Sequence, residues 1–331
     1  MNISFKGYDA VPLKALHISQ SWDKIGDEFK QICDKENIEL KQSKFNGSFN
    51  QDTMLFTEKN GKQIAIVEEA IDVIEPFREE LENELGMDVE FVDIFDRSTG
   101  FMSGGNFFLG KKPDGTKFML VGNTEYLMSS TSKVAERFGV APENIHYIQQ
   151  QDYHLDMSLR PIGYPYVLIN NPKMAAKNEL KVKGINPNSN HKIEVEESKM
   201  FSYKKGVEQL QEAGFVPIPI GAVYFANGAS INFMNAIVNK HDDGSISYIT
   251  NSSKCNDYYV SKYEKMFNKQ LQQKLKELSK TDKNVPQLSA PVYFIQGENY
   301  GNYNEVMMNL FEGSGGVHCM ASEEPNFEKW V

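Results

Sequence analysis

The chain has 331 residues, 40% of them hydrophobic and 24% charged, with a formal net charge of −10. That length buries a full core in one large domain or two small ones, and the ordinary composition excludes a disordered or fibrous chain. The acidic balance excludes the broad basic face a nucleic-acid partner requires, while suiting a cationic substrate.

In chain order, a helix followed by an apolar strand recurs five times. The first spans residues 22–45, with Ile25, Phe29, Ile32 and Cys33 on one helical face. The second, 74–95, lines Phe77, Leu81 and Leu85 along its helix and carries a stop at Gly86. The third spans 132–150, and the fourth, 204–220, places Gly214 between helix and strand. The fifth, 267–296, has a longer polar linker before its strand. Between these units, Asn60-Gly61, Asp114-Gly115 and Asp243-Gly244 are tight-turn dipeptides that predict hairpins, and residues 166–183 read as a fourth, less regular one. Two architectures accommodate the alternation, a doubly wound parallel sheet or a ring of five small α/β blades. Hairpins in step with the helices favour the ring, because a parallel sheet needs crossovers instead. A single domain over residues 1–331 is the expectation.

Cys33, Cys255 and Cys319 are widely spaced and odd in number, with no zinc-ligand spacing and no disulfide framework, so a reducing compartment is the default. The opening residues lack a basic stretch leading into an apolar one, and the most apolar run, 215–226, is short and holds Pro217 and Pro219. A cytoplasmic protein without a membrane partner is therefore expected, with signal-independent export left open.

Four segments carry reactive side chains, each after the strand of a different unit. Near the C-terminus, Gly313, Gly315 and Gly316 precede Cys319. Glycines there allow close backbone approach, and a thiolate is the strongest side-chain nucleophile near neutral pH. Cys319 reads as a nucleophile or as a buried structural thiol. Cys33, on an apolar helical face, reads as structural, and Cys255 as a loop thiol. His318, next to Cys319 in an extended chain, points the opposite way and is a poor direct partner for it.

In the second segment His154 and Asp156, two apart in an extended stretch, share a face. The imidazole suits acid–base work, and the carboxylate can bind a cation or hold the ring; a core histidine with a surface aspartate is the bland alternative. Arg160 reads as an ion-pair partner, and His17, His146, His191 and His241 as structural. In the third segment Asp93 and Asp96 bracket a strand end before Gly104-Gly105-Asn106, either gripping a second edge of a guanidinium or forming an ordinary turn. The fourth carries Asn227, Asn232 and Asn235, explained as turn residues or as polar contacts to substrate.

Taken in order, GGN (104–106), HLD (154–156), FANG (225–228) and GGVHC (315–319) resemble the guanidino-group-modifying superfamily, the penteins. Within it they look most like agmatine deiminases and peptidyl-arginine deiminases, over residues 90 to 325. The resemblance implies a five-bladed α/β propeller of pseudo-fivefold ββαβ-type units around a central site. Cys319, His154, Asp156 and Asp96 then form its catalytic set, with Asp96, Asp156, Asn106 and Asn235 on the substrate. It implies hydrolysis of a small cationic guanidine or an arginine-containing peptide through a covalent thiouronium. No metal or organic cofactor is required, and a homodimer is compatible. Two departures concern the substrate side. Asp96 precedes Arg97 where the family aspartate often follows an arginine, so Asp93 competes for its role. Ser103 stands where several relatives carry an acidic residue. An amidinotransferase using the same residues, a non-catalytic interaction protein and a cysteine protease are the rival readings.

Overall fold

The computed structural model describes residues 3–4, 11–19, 23–43, 54–59, 62–68, 78–92, 104–123, 131–187, 193, 195–226, 229–252, 258–295 and 317–326. After β1 (Ile3–Ser4), strand β2 (Leu13–Ser19) leads through helix α1 (Asp23–Glu36) to β3 (Glu39–Ser43), which pairs parallel with β2. Helix α1 buries Phe29 and Cys33, one turn apart, and leaves Lys30 and Asp34 in solvent. Asn37, at φ 56°, ends it in the left-handed region that asparagine tolerates.

The next unit repeats this plan with its own hairpin. Strands β4 (Met54–Lys59) and β5 (Lys62–Glu68) are antiparallel, α2 (Arg78–Leu85) crosses over, and β6 (Asp88–Val92) returns parallel to β5. Gly86 adopts φ 70° just past α2, the conformation expected of a helix stop. Strands β7 (Phe107–Lys111) and β8 (Lys117–Gly122), helix α3 (Thr131–Phe138) and β9 (Ile145–Ile148) form the third unit in the same order.

In the fourth unit the structure corrects the expected hairpin over 166–183. The true hairpin is β10 (Leu159–Gly163) with β11 (Tyr166–Asn170), turning at the cis Tyr164–Pro165 bond. After β11 the chain enters helix α4 (Pro172–Val182), because the Asn171 side chain accepts from the Met174 amide and Pro172 occupies the first turn. Helix α5 (Glu197–Glu212) then leads past Gly214 to β12 (Val216–Ile220), parallel to β11. A small hairpin of β13 (Val223–Ala226) and β14 (Ala229–Asn232) intervenes. The fifth unit comprises β15 (Ala236–Lys240), β16 (Ile246–Asn251), α6 and β17 (Tyr293–Ile295). Helix α6 (Tyr258–Leu278) begins earlier than the expected unit at 267. A one-turn helix, α7 (Val317–Met320), precedes β18 (Ala321–Pro325), which pairs antiparallel with β2 and completes the first sheet.

Five sheets therefore share one order, an antiparallel pair followed by a parallel strand reached through helix, and the strands do not merge into one continuous sheet among the described residues. A three-stranded unit cannot cover its own apolar face. Accordingly three of the buried clusters run across unit boundaries, while a fourth packs α2 on its own sheet. Leu55 and Ile64 pack with Phe108, Leu120, Leu159 and Val167 across units two, three and four. Leu168 and Ile220 join Val238, Tyr248 and Phe267 across units four and five. Leu16, Ile18 and Phe29 join Ile237 and Ile249 across units one and five. Among the described residues no helix is long and apolar enough to cross a membrane.

Candidate active site

The connections between units carry the polar residues. Between β9 and β10, buried Gln150 secures its own loop: Nε2 donates to the Tyr153 carbonyl and to Asn106 Oδ1, both at 2.8 Å. Gly122 makes this packing possible, since a Cβ there would lie 2.3 Å from Asn106 Oδ1 and 2.6 Å from Gln150. Asn106, expected on the substrate, thus has its carbonyl engaged by the protein.

His154 is extended (φ −119°, ψ 152°) and half-buried, with the exposed Tyr153 ring 4.7 Å from its own. Leu155–Met157 then form a 3-10 turn that carries Asp156 into the interior, where it is fully buried. The expectation that both share the face of an extended segment is corrected here, because period-two alternation ends where the turn begins.

Helix α7 presents Cys319 to this carboxylate. Asn235, just before β15, holds the helix: its Oδ1 accepts from the His318 amide at 2.8 Å and the Cys319 amide at 3.3 Å. Asn251 Oδ1 accepts from the Val317 amide at 2.7 Å. These side-chain carbonyls satisfy amides that a one-turn helix cannot satisfy itself. Asn235 Nδ2 donates to Asp156 Oδ2 at 2.8 Å and to Cys319 Sγ at 3.0 Å, and Sγ lies 3.4 Å from Asp156 Oδ2. Two donor hydrogens and two acceptor positions are all an amide has, and all four of those of Asn235 are engaged by the scaffold. Asn232 supports it from behind, its Oδ1 accepting the Met234 and Asn235 amides at 2.8 and 3.2 Å.

His318 is the main correction within the site. Its segment is helical rather than extended, and its side-chain partner is Asp156: Nδ1 lies 2.7 Å from Asp156 Oδ2, on the oxygen that Cys319 and Asn235 also contact. Burial pushes the His318 pKa well below its ordinary value, and the nearby charges of Arg160 and His154 act in the same sense. Arg160, buried over the Phe108 ring, pairs with Glu323 Oε1 at 2.9 Å, as an ion-pair partner should. Burial pushes Glu323 upward, against the pull of Arg160. A helical register for 317–320 would reveal His318 in the sequence; the long-range partners Glu323, Asn251 and Gln150 carry no motif.

The remaining candidates sit elsewhere. Cys33 is buried in the core, and burial pushes its thiol up to about 12, which makes it inert. His17 and His241 pair with Glu324 at 2.7 Å and Glu36 at 3.3 Å, and His146 packs on Phe215. Asp93, Asp96, Arg97, Ser103, His191, Asn227, Cys255, Gly313, Gly315, Gly316 and Phe77 lie outside the described residues, as do the turn Asn60-Gly61 and the side chain of Ile25. Among the described residues no group of three or more His, Cys, Asp or Glu is placed to hold a metal.

The order of hairpin, helix and strand is shared with solved deiminase structures, and the likeness is one of fold. The agmatine deiminase of C. jejuni superposes over 98% of this chain and 96% of its own, with a TM-score of 0.56 at 15% identity. A C. jejuni agmatine deiminase bearing a cysteine-to-serine substitution, with substrate bound, covers 97% and 96% with a TM-score of 0.56 at 13% identity. A structure provisionally described as a peptidyl-arginine deiminase covers 98% and 99%, with a TM-score of 0.58 at 10% identity. No family model and no curated protein matches the sequence.

Proposed function

We propose that the chain is a single-domain enzyme that hydrolyses a guanidino group, as the agmatine deiminases of this fold do by name. The observation that carries this reading is the buried meeting of the Cys319 thiol with the Asp156 carboxylate, bridged by the Asn235 amide. A carboxylate held against a nucleophile binds a planar cation bidentately and sets its central carbon beside sulfur. The cyclic contact of the five sheets, with unit one packed on unit five and β18 also against β4, supports a closed five-bladed propeller around this site.

In the proposed reaction Asp156, with Asp96 from the second unit's connection, holds the guanidinium in plane. The bound cation favours the thiolate, and the Asn235 Nδ2 donor stabilises it. Sulfur adds to the guanidinium carbon. His154 protonates the departing nitrogen, which leaves as ammonia, and an S-alkylthiouronium remains. Water, deprotonated by His154, attacks the same carbon and expels the thiolate, giving a ureido product. The substrate class is agmatine, a peptidyl-arginine or a related guanidine, in a cytoplasmic setting.

A colorimetric ureido screen over agmatine, arginine, N-acylarginine amides and methylarginines tests this. At least one guanidine should give ureido product plus ammonia, and Cys319→Ala should abolish turnover while guanidine binding survives. Unchanged activity in Cys319→Ala would remove the assignment. An amidino product formed only with an added amine would show that an amine takes the place of water.

A further inference from the structure

Deepening the guanidine reading, on which it rests, we propose that His318 is a positioning residue: as an Nδ1–H donor it fixes the Asp156 carboxylate for the incoming cation, and the Arg160–Glu323 pair lies on the far side of its ring. The proposed reaction uses one histidine, His154, yet a second lies deeper in the same cluster. His318 Nδ1 is 2.7 Å from Asp156 Oδ2, shorter than the 3.4 Å contact of Cys319 with that oxygen. On the ring's other side Nε2 lies 3.7 Å from Glu323 Oε1, and that oxygen accepts from Arg160 Nη2 at 2.9 Å. Phe108 covers the assembly, with its ring centroid 6.0 Å from that of His318 and 5.4 Å from the Arg160 guanidinium carbon. His318, Arg160, Glu323 and Asp156 are all buried.

Charge explains why a histidine serves here. A cation on Asp156 would cancel the field that draws a guanidinium and would compete with it for the same oxygen. A neutral imidazole orients the carboxylate by hydrogen bonding while leaving its charge intact. The groups facing His318 are Asp156, Glu323, Arg160, His154 and Cys319. Burial, Arg160 and His154 all oppose a second proton on its ring. Arg160 compensates Glu323, so the buried carboxylate beside Nε2 does not draw that proton back.

The test compares alkylation of Cys319 by 2-chloroacetamidine, a cation that mimics the guanidinium, with alkylation by neutral 2-chloroacetamide. The parent protein should prefer the amidine. Asparagine can place an amide NH where Nδ1 sits, so His318→Asn should stay within about threefold of the parent preference. Glutamine reaches toward the Nε2 position, so His318→Gln should lose at least about tenfold, as expected for a lost hydrogen bond to a charged group. A purely structural role would not separate the two amides. Melting curves establish that both variants fold. For the parent itself, 15N-histidine NMR at neutral pH should show His318 carrying its proton on Nδ1 alone, and this decides the matter if His318→Gln does not fold. An unprotonated Nδ1, a doubly protonated ring, or equal amidine preference in both variants would overturn the proposal. A parent that does not discriminate between the reagents would instead remove the guanidine reading, and this inference with it.

Discussion

Asn235 shows how much one side chain can be asked to do. Its carbonyl oxygen holds the amides of His318 and Cys319, and its nitrogen donates to Asp156 and to the Cys319 sulfur. The two ends separate by substitution. Asn235→Asp keeps an acceptor for the amides but puts a carboxylate oxygen 2.8 Å from Asp156 Oδ2, where a donor belongs. Two carboxylates at that distance do not both ionise, so one retains a proton and the thiolate loses its donor. Turnover should fall about 100-fold or more, the scale of a removed transition-state donor, while the urea midpoint stays near that of the parent. Asn235→Ala strips the acceptor as well, leaving two buried amides unsatisfied at about 1–3 kcal/mol each. It should therefore lose both activity and stability. Equal stability of the two variants would show that the α7 amides find another partner.

At the scale of elements, β18 is the last described strand, yet it belongs to the first sheet, and a charge cluster fastens it there. Glu324 is buried against His17 Nε2 and Lys14 Nζ, each at 2.7 Å, and Lys41 Nζ at 3.2 Å. Burial alone would raise its pKa, but the bonds from His17 and Lys14 and the charges of His17 and Lys41 win, leaving it at about 2 against an ordinary 4.5. The unfolded chain therefore takes a proton on falling past pH 4.5 that the folded chain refuses until near 2. The stabilisation is complete above 4.5 and disappears as the pH drops toward 2. Buried His17, whose pKa is pushed below 6.5 by desolvation, adds a loss in the same direction that begins at higher pH. Urea midpoints across this range should decline steeply for the parent. Glu324→Gln should start lower at pH 7 and decline less between 4.5 and 2. Superimposable pH slopes would mean that the cluster does not govern acid stability.

Legibility in the sequence tracks the range of the forces involved. Helices α1 and α2 and the glycine stop of α2 are local, so periodicity and backbone preference reveal them. Helix α4 hides because its apolar positions are few, and a proline at its start looks like a strand breaker unless Asn171 is recognised as its cap. The cluster at Cys319 is only half legible for a related reason. The reactive residue types stand in the chain, but the His318–Asp156 contact depends on α7 being helical, and Glu323 enters the site only because β18 docks on β2.

The whole molecule joins these scales. The first unit borrows its hairpin partner from the far end of the chain, and the Asn326 amide donates to the Pro12 carbonyl at 2.8 Å, so the start of β2 and the end of β18 lie side by side. In the proposed closed ring no unit is first, and the position of the chain break is a matter of covalent connectivity rather than of packing. A circular permutant that gives up the short β1–β4 pairing should therefore fold: residues 326 and 11 joined by a short glycine–serine linker, with new ends opened at the exposed turn Asp114-Gly115 between β7 and β8. Within that turn the Gly115 amide donates to the Lys112 carbonyl at 2.9 Å, and Asp114 and Gly115 are exposed. Exposed turns of this kind tolerate new termini, and joining adjacent ends leaves the core unchanged. The permutant should unfold in one cooperative transition close to the parent's and retain the parent's preference for the amidine reagent at Cys319. A permutant that melts in two steps would indicate an open chain of units, in which the β2–β18 pairing is an appendage and the site is assembled by local contacts alone.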